Sequence, residues 1–413
     1  MTQTAVFFAE YPLDYVLWRG IARILKDERP DVRRLLVTVA EPYSAGYVHD
    51  LADLFDDHHE LALGATYGAW NTALSGRTIL AHLLRNLPRA VKVAKAMREV
   101  PLPSHGVAFV YAGHTLNRQI FLRHARDRGL TTVVLADETP DVDLADFYYG
   151  RHASTIFRLY NRLFGVGDLD LYWMKVPDGD KTSQRELRIA RDAADHVIAG
   201  DHISRVNQIA EDRVAWPFLP SPPQLVAARP KLLLIGGSYM WEGLVRPPAF
   251  YRRYNALIDA LRKLHPQHDL VYMPHPGAPG EAEAEMARLD LNRFEVGDKM
   301  SPEEYVRRHP EVNIAYSIFS TCIHSLAAMG VQAHALYGLF HDDAIDPLLR
   351  HRLDQRWASQ RYDKMVVRDE AAFLAGRNVY KPADMTPLVE ASVRRLLNRV
   401  GIAISEDYHE STF

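Results

Sequence analysis

One histidine of this chain stands between two prolines, Pro274-His275-Pro276, directly after the apolar run Leu270-Val271-Tyr272-Met273. The prolines fix φ and remove backbone donors, so the loop is stiff and the imidazole is the polar group it presents. Such a ring can donate to a phosphate oxygen and changes charge near neutral pH. A second run, Val312-Asn313-Ile314-Ala315-Tyr316, leads through Ser317 to Ser320-Thr321 and the apolar stretch from Cys322 to Met329. Hydroxyls and unpaired N–H groups at a helix start favour an anion. Helix capping alone also accounts for Ser and Thr there.

Two further stretches carry weaker signals. Gly236-Gly237-Ser238-Tyr239 follows Lys231-Leu232-Leu233-Leu234-Ile235 and permits close approach of a ligand to the backbone. It lacks the G-x-G-x-x-G spacing of a dinucleotide site and the lysine of a P-loop. Asp137-Glu138-Thr139 follows the apolar run Thr131 to Leu135. A carboxylate there can take the proton of an attacking hydroxyl, and the trio reads equally well as a turn or cap.

The elements that must position these groups alternate between two periodicities. Short β-rich runs at 5–9, 34–39, 107–111 and 131–135 are interleaved with helical spacing over 11–25 and 116–128, which argues for parallel βαβ units. Residues 194–200 read as the last strand of this half. Pro217, Pro220, Pro222 and Pro223 then mark a linker. Beyond it, strands at 231–235, 268–273, 293–296, 312–316 and 333–338 alternate with helices at 250–263, 280–289 and 302–308. The expectation is an α/β chain of two Rossmann-like domains facing a cleft: 1–222, 223–385, and a helix within 386–413 that returns to the first domain by analogy. Ligands of open parallel sheets bind outside the carboxyl ends of strands, so the polar stretches should share a crevice.

The strand-His-Pro signal from Tyr272 to Pro276, with Ser320-Thr321 45 residues after His275, resembles the HP and S/T motifs of bacterial sialyltransferases and polysialyltransferases. The resemblance runs through most of the chain in order and spacing. It implies a GT-B architecture, a CMP-activated acidic sugar as donor, a glycan or glycolipid acceptor, and inversion. It further implies that His275, Ser320 and Thr321 hold the donor phosphate beside Pro274 and Pro276, and that Gly236, Gly237, Ser238 and Tyr239 lie near the donor. Asp137 would be the base, with Glu138 as runner-up. The family's third motif pairs two acidic residues with a glycine. Here that glycine is missing from Asp137-Glu138-Thr139, which leaves open how the loop turns.

Composition narrows the alternatives. At 413 residues the chain is long enough for two cores. Its net charge of -3 gives no global reason to expect nucleic acid. The single cysteine, Cys322, rules out an internal disulfide framework and a cysteine metal cluster. No HExxH, EF-hand or Cys/His spacing occurs, and Asp342-Asp343 beside His341 reads as a solvated loop, so no obligatory metal or cofactor is expected. With no basic leader at the start and no long apolar run, a cytoplasmic protein is expected. The stretch Thr78 to Arg98 carries Arg85, Arg89, Lys92, Lys95 and Arg98 without an acid, opposite Leu84, Leu87, Val91 and Ala94. It suits peripheral contact with an anionic inner-membrane surface or a negatively charged acceptor, and equally an ordinary solvated face over a core stripe. Three other readings stay open: a UDP- or GDP-sugar glycosyltransferase, a CDP-glycerol glycerophosphotransferase, and a non-catalytic nucleotide- or sugar-binding protein.

Overall fold

The computed structural model describes residues 3–40, 44–61, 79–111, 116–136, 194–200, 229–237, 245–275, 281–297, 300–320, 322–357, 363–377 and 386–404, with short pieces at 159, 162–165, 173–175, 183–185 and 212–214. The chain forms two compact units. The first takes in Met1–Pro217 and Val389–Phe413, and the second Phe218–Leu388.

In the first unit the strands are β1 (Thr4–Ala9), β2 (Arg33–Val39), β3 (Asp57–Leu61), β4 (Val107–Tyr111), β5 (Thr131–Ala136), the pair β6 (Trp173–Lys175) and β7 (Ser183–Arg185), β8 (His196–Gly200) and β9 (Asp212–Val214). Seven of them make one parallel sheet in the order β3-β2-β1-β4-β5-β8-β9. Every residue of β1 is buried, because helices cover both faces of a parallel sheet and each side chain must therefore be accommodated by a core. Helix Pro12–Glu28 buries Tyr15, Trp18, Ile21, Ala22 and Leu25 along one stripe, and the Trp18 indole N–H donates to the Phe8 carbonyl at 2.8 Å.

Helix Thr386–Arg399 belongs to this unit from Val389 onward. It buries Val389, Val393, Leu396 and Leu397, and the Arg394 guanidinium bonds Glu28 at 2.7 Å. Arg29 and Gln3 donate to the carbonyls of Ala403 and Gly401.

The second unit contains β10 (Lys231–Ile235), β11 (Asp269–Met273), β12 (Phe294–Val296), β13 (Val312–Ser317) and β14 (Gln332–Ala335), all parallel, in the order β12-β11-β10-β13-β14. Helix Pro247–Leu264 starts with two prolines, which suit the first turn, and buries Phe250, Tyr254, Leu257, Ile258 and Leu261. Both units are therefore Rossmann-like, as the alternating pattern implies.

Three expectations change. Helix Ser44–Leu51 and β3 lie between the second run and the basic helix. Strand β3, Asp-His-His-Glu-Leu, sits at the sheet edge with every second residue half-buried, so it carries little apolar signal. Residues 196–200 are not the last strand of the first sheet, since β9 pairs beyond them. In helix Ile79–Glu99 the buried stripe is Ala90, Val93, Ala94 and Met97, whereas Leu87 and Val91 are 39% and 50% exposed, on the outside with Lys92, Lys95 and Arg98.

Candidate functional site

In a sheet ordered β12-β11-β10-β13-β14, the crossovers from β10 run to opposite sides through β11 and β13. The crevice outside the carboxyl ends of β10 and β13 is thus the switch point where α/β proteins bind ligands. The sequence places its polar stretches at these ends. Gly236 and Gly237 follow β10, Pro274 and His275 follow β11, and Ser317 to Ser320 end β13. Residues Ser238, Tyr239, Pro276, Thr321, Asp137, Glu138 and Thr139 lie outside the described residues.

His275 is half-buried. Its Nδ1 is buried without a hydrogen-bond partner among the described residues. Burial alone pushes the imidazole below its usual range, so the ring is neutral at pH 7. A neutral ring in that position needs one more polar partner to satisfy it, and a ligand oxygen could supply it.

Gly236 is constrained by the protein as well as by any ligand. Its N–H donates to the Met273 carbonyl at 2.8 Å, and a Cβ at this position would run into the Tyr272 hydroxyl and ring. Only glycine lets the end of β10 turn this close to β11.

Ser320 places its Oγ 2.8 Å from the Cys322 Sγ, and its carbonyl accepts from the Ile323 N–H. Below it the Ser325 hydroxyl bridges the Glu303 carboxylate and the Cys322 carbonyl. Glu303 is buried, which raises its pKa, and burial together with Glu303 holds the Cys322 thiol far above its ordinary value. His324 is a core residue whose ring meets Trp357 edge-on at 4.2 Å. Asp342 pairs with Arg350 at 3.5 Å. Among the described residues no group of three His, Cys, Asp or Glu side chains is placed to hold a metal.

The first unit has its own switch point, between β1 and β4, and it holds a charged network absent from the motifs above. Asp14 Oδ2 accepts from the backbone N–H groups of Glu10 and Tyr11 at 2.7 and 2.8 Å, and both Asp14 oxygens take Arg118 Nη2 at 2.9 Å. Asn117 Nδ2 donates to Glu10 Oε1 at 2.6 Å, and Arg118 Nε lies 3.5 Å from Glu10 Oε2. The Arg118 guanidinium sits over the rings of Tyr11 and Tyr111 at 4.7 and 5.5 Å. Burial raises the Asp14 carboxyl, against the lowering effect of Arg118 and the two N–H groups. The available sequence signal was Glu10 itself, an acid directly after a fully apolar strand.

No family model matches the chain, and no curated protein matches it by sequence. Solved structures do. A Listeria monocytogenes protein assigned as a UDP-N-acetylglucosamine 2-epimerase shares 10% identity over 99% of this chain and 100% of its own, with a TM-score of 0.55. S. aureus MnaA, solved with UDP, shares 9% identity over 97% and 98%, with a TM-score of 0.54. The UDP-GlcNAc 2-epimerase of Methanocaldococcus jannaschii shares 9% over 96% and 99%, with a TM-score of 0.50. At this identity the likeness establishes the fold: a GT-B-like pair of Rossmann-type units.

Proposed function

We propose that this chain is a glycosyltransferase that uses a nucleotide sugar, with a UDP-sugar favoured over the CMP-activated acidic sugar implied by its short motifs. The observation that carries this is the unpartnered His275 Nδ1 at the end of β11, next to the glycine turn that ends β10. A neutral imidazole there donates its N–H to a phosphate oxygen and stabilises the charge that grows as the sugar leaves. The choice of uridine is supported by the three structures above, each of which carries UDP in its name. We extend the proposal to a glycan or glycolipid acceptor and to surface association through helix Ile79–Glu99.

Calorimetric titration of UDP, CMP, UMP and GDP into the purified chain without added metal tests the donor assignment. Selective UDP binding that His275→Ala weakens supports it. Selective CMP binding restores the sialyltransferase-like reading, and absence of binding by every nucleotide ends both.

A second reading, epimerisation of the sugar while it stays on the nucleotide, is favoured by the names of the Listeria monocytogenes and Methanocaldococcus jannaschii structures. Proton NMR of UDP-N-acetylglucosamine incubated with the chain alone separates the two. Appearance of a new UDP-sugar without an acceptor selects the epimerase.

A further inference from the structure

We propose that Glu10 and Asn117, at the switch point of the first sheet, form the site that receives the hydroxyl-bearing sugar acceptor. The inference rests on the glycosyltransferase reading and deepens it.

Position comes first. Glu10 leaves the carboxyl end of β1, and Asn117 and Arg118 stand in the first turn of helix Leu116–Asp127, which follows β4. Strands β1 and β4 are neighbours, and the sheet order reverses between them. Both side chains therefore converge on the crevice that open α/β sheets use for ligands.

The division of labour within the network follows from its hydrogen bonds. Asp14 spends its oxygens on two backbone N–H groups and on Arg118, which ties the start of helix Pro12–Glu28 to helix Leu116–Asp127. It is the anchor. Glu10 is held by the Asn117 amide on one oxygen and faces Arg118 with the other, which fixes its orientation.

A second observation points to a ligand. Asn117 is 1% exposed, and its Oδ1 has no hydrogen-bond partner among the described residues. Its Nδ2 is bonded to Glu10, so the orphaned oxygen belongs to the same cluster. A buried amide oxygen left unpaired is costly, and the ligand that satisfies it must bring a donor. Beside a carboxylate, this defines a pair of acceptors suited to the hydroxyls of a sugar.

Saturation-transfer NMR on the full chain tests the site, with UDP present and methyl β-D-glucopyranoside, methyl β-D-galactopyranoside and N-acetylglucosamine as probes. Binding of at least one sugar to the unmodified chain is expected, weakened about tenfold or more by Glu10→Gln and by Asn117→Ala, the size of a lost buried hydrogen bond to a charged or polar partner. A network that is only structural would lower the melting temperature and leave the sugar affinity of the folded protein unchanged. Unchanged affinity in both variants, or no sugar binding to the unmodified chain, overturns the proposal. Asn117→Ala carries the test if Glu10→Gln does not fold. A separate UDP titration reports on the second unit, so its failure is distinguishable from failure here.

Discussion

The Tyr272 hydroxyl and ring occupy the volume that any side chain at position 236 would need. Strand β11 thereby dictates how strand β10 ends, and the glycine at this turn is a packing requirement before it is a ligand requirement.

Gly236→Ala should destabilise the second unit by about 1–3 kcal/mol, the range for overpacking a fully packed site. Thermal melts of the variant and of Gly236→Ala/Tyr272→Phe check this. The double variant removes the nearest clashing atom and should recover part of the loss. Equal melting temperatures for Gly236→Ala and the unmodified chain would show that the strand ends yield freely.

His275→Ala should weaken UDP binding by about 1.5–3 kcal/mol, as for a lost hydrogen bond to a charged group. Burial keeps the ring neutral, so the affinity of the unmodified chain should be nearly flat across neutral pH. Calorimetry at several pH values reads both quantities. A steep gain in affinity on acidification would instead show an imidazolium at work.

Two buried groups of the second unit should set opposite pH slopes. Glu285 receives the Tyr251 hydroxyl, and burial raises its pKa to about 7. The folded state then holds a proton that the unfolded state releases above its lower value, so this stability is present at acid pH and lost as pH rises through 7. Glu285→Gln should therefore stabilise the chain at pH 8, by up to about 3 kcal/mol at 1.36 kcal/mol per unit, and change little at pH 4. His334, stacked on Tyr316, is pushed down to about 4 by burial. Its contribution is present above the unfolded value near 6.5 and lost as pH falls toward 4. Melting curves of Glu285→Gln and His334→Gln from pH 4 to 8 test the pair of signs.

Helix Ile79–Glu99 should bind vesicles containing phosphatidylglycerol more strongly than neutral ones. Lys92 and Lys95 are exposed on the same helix as Leu87 and Val91, and each cation near an anionic surface is worth about 1 kcal/mol. Lys92→Glu/Lys95→Glu should reduce co-sedimentation about tenfold or more. Sedimentation independent of the two charges would assign this helix an ordinary solvated face.

The strands that carry the two sheets were readable because buried parallel strands are apolar throughout, as in Thr4–Ala9 and Lys231–Ile235. The edge strand Asp57–Leu61 of the first sheet was not. Asp57–Leu61 pairs on one side and meets solvent on the other, and its two histidines and two acids resemble a loop. The phase of the basic helix was also misplaced, since two of the buried positions are the alanines Ala90 and Ala94, which Leu87 outweighs in a sequence pattern. At the second switch point the motif residues stood out by type, prolines around a histidine and paired glycines. The Glu10, Asp14 and Arg118 network did not, because Arg118 is more than a hundred residues from its partners and a salt bridge leaves no local periodicity.

Helix Thr386–Arg399 completes the core of the first unit with residues made after the whole of the second. On the ribosome, residues 218–388 emerge as an uninterrupted block, while the first unit waits for its final helix. The usual order, in which the domain synthesised first folds first, is reversed for its completed form. A fragment ending at residue 217 would expose the groove that Val389, Val393, Leu396 and Leu397 fill, so the first unit cannot be obtained by cutting the chain once.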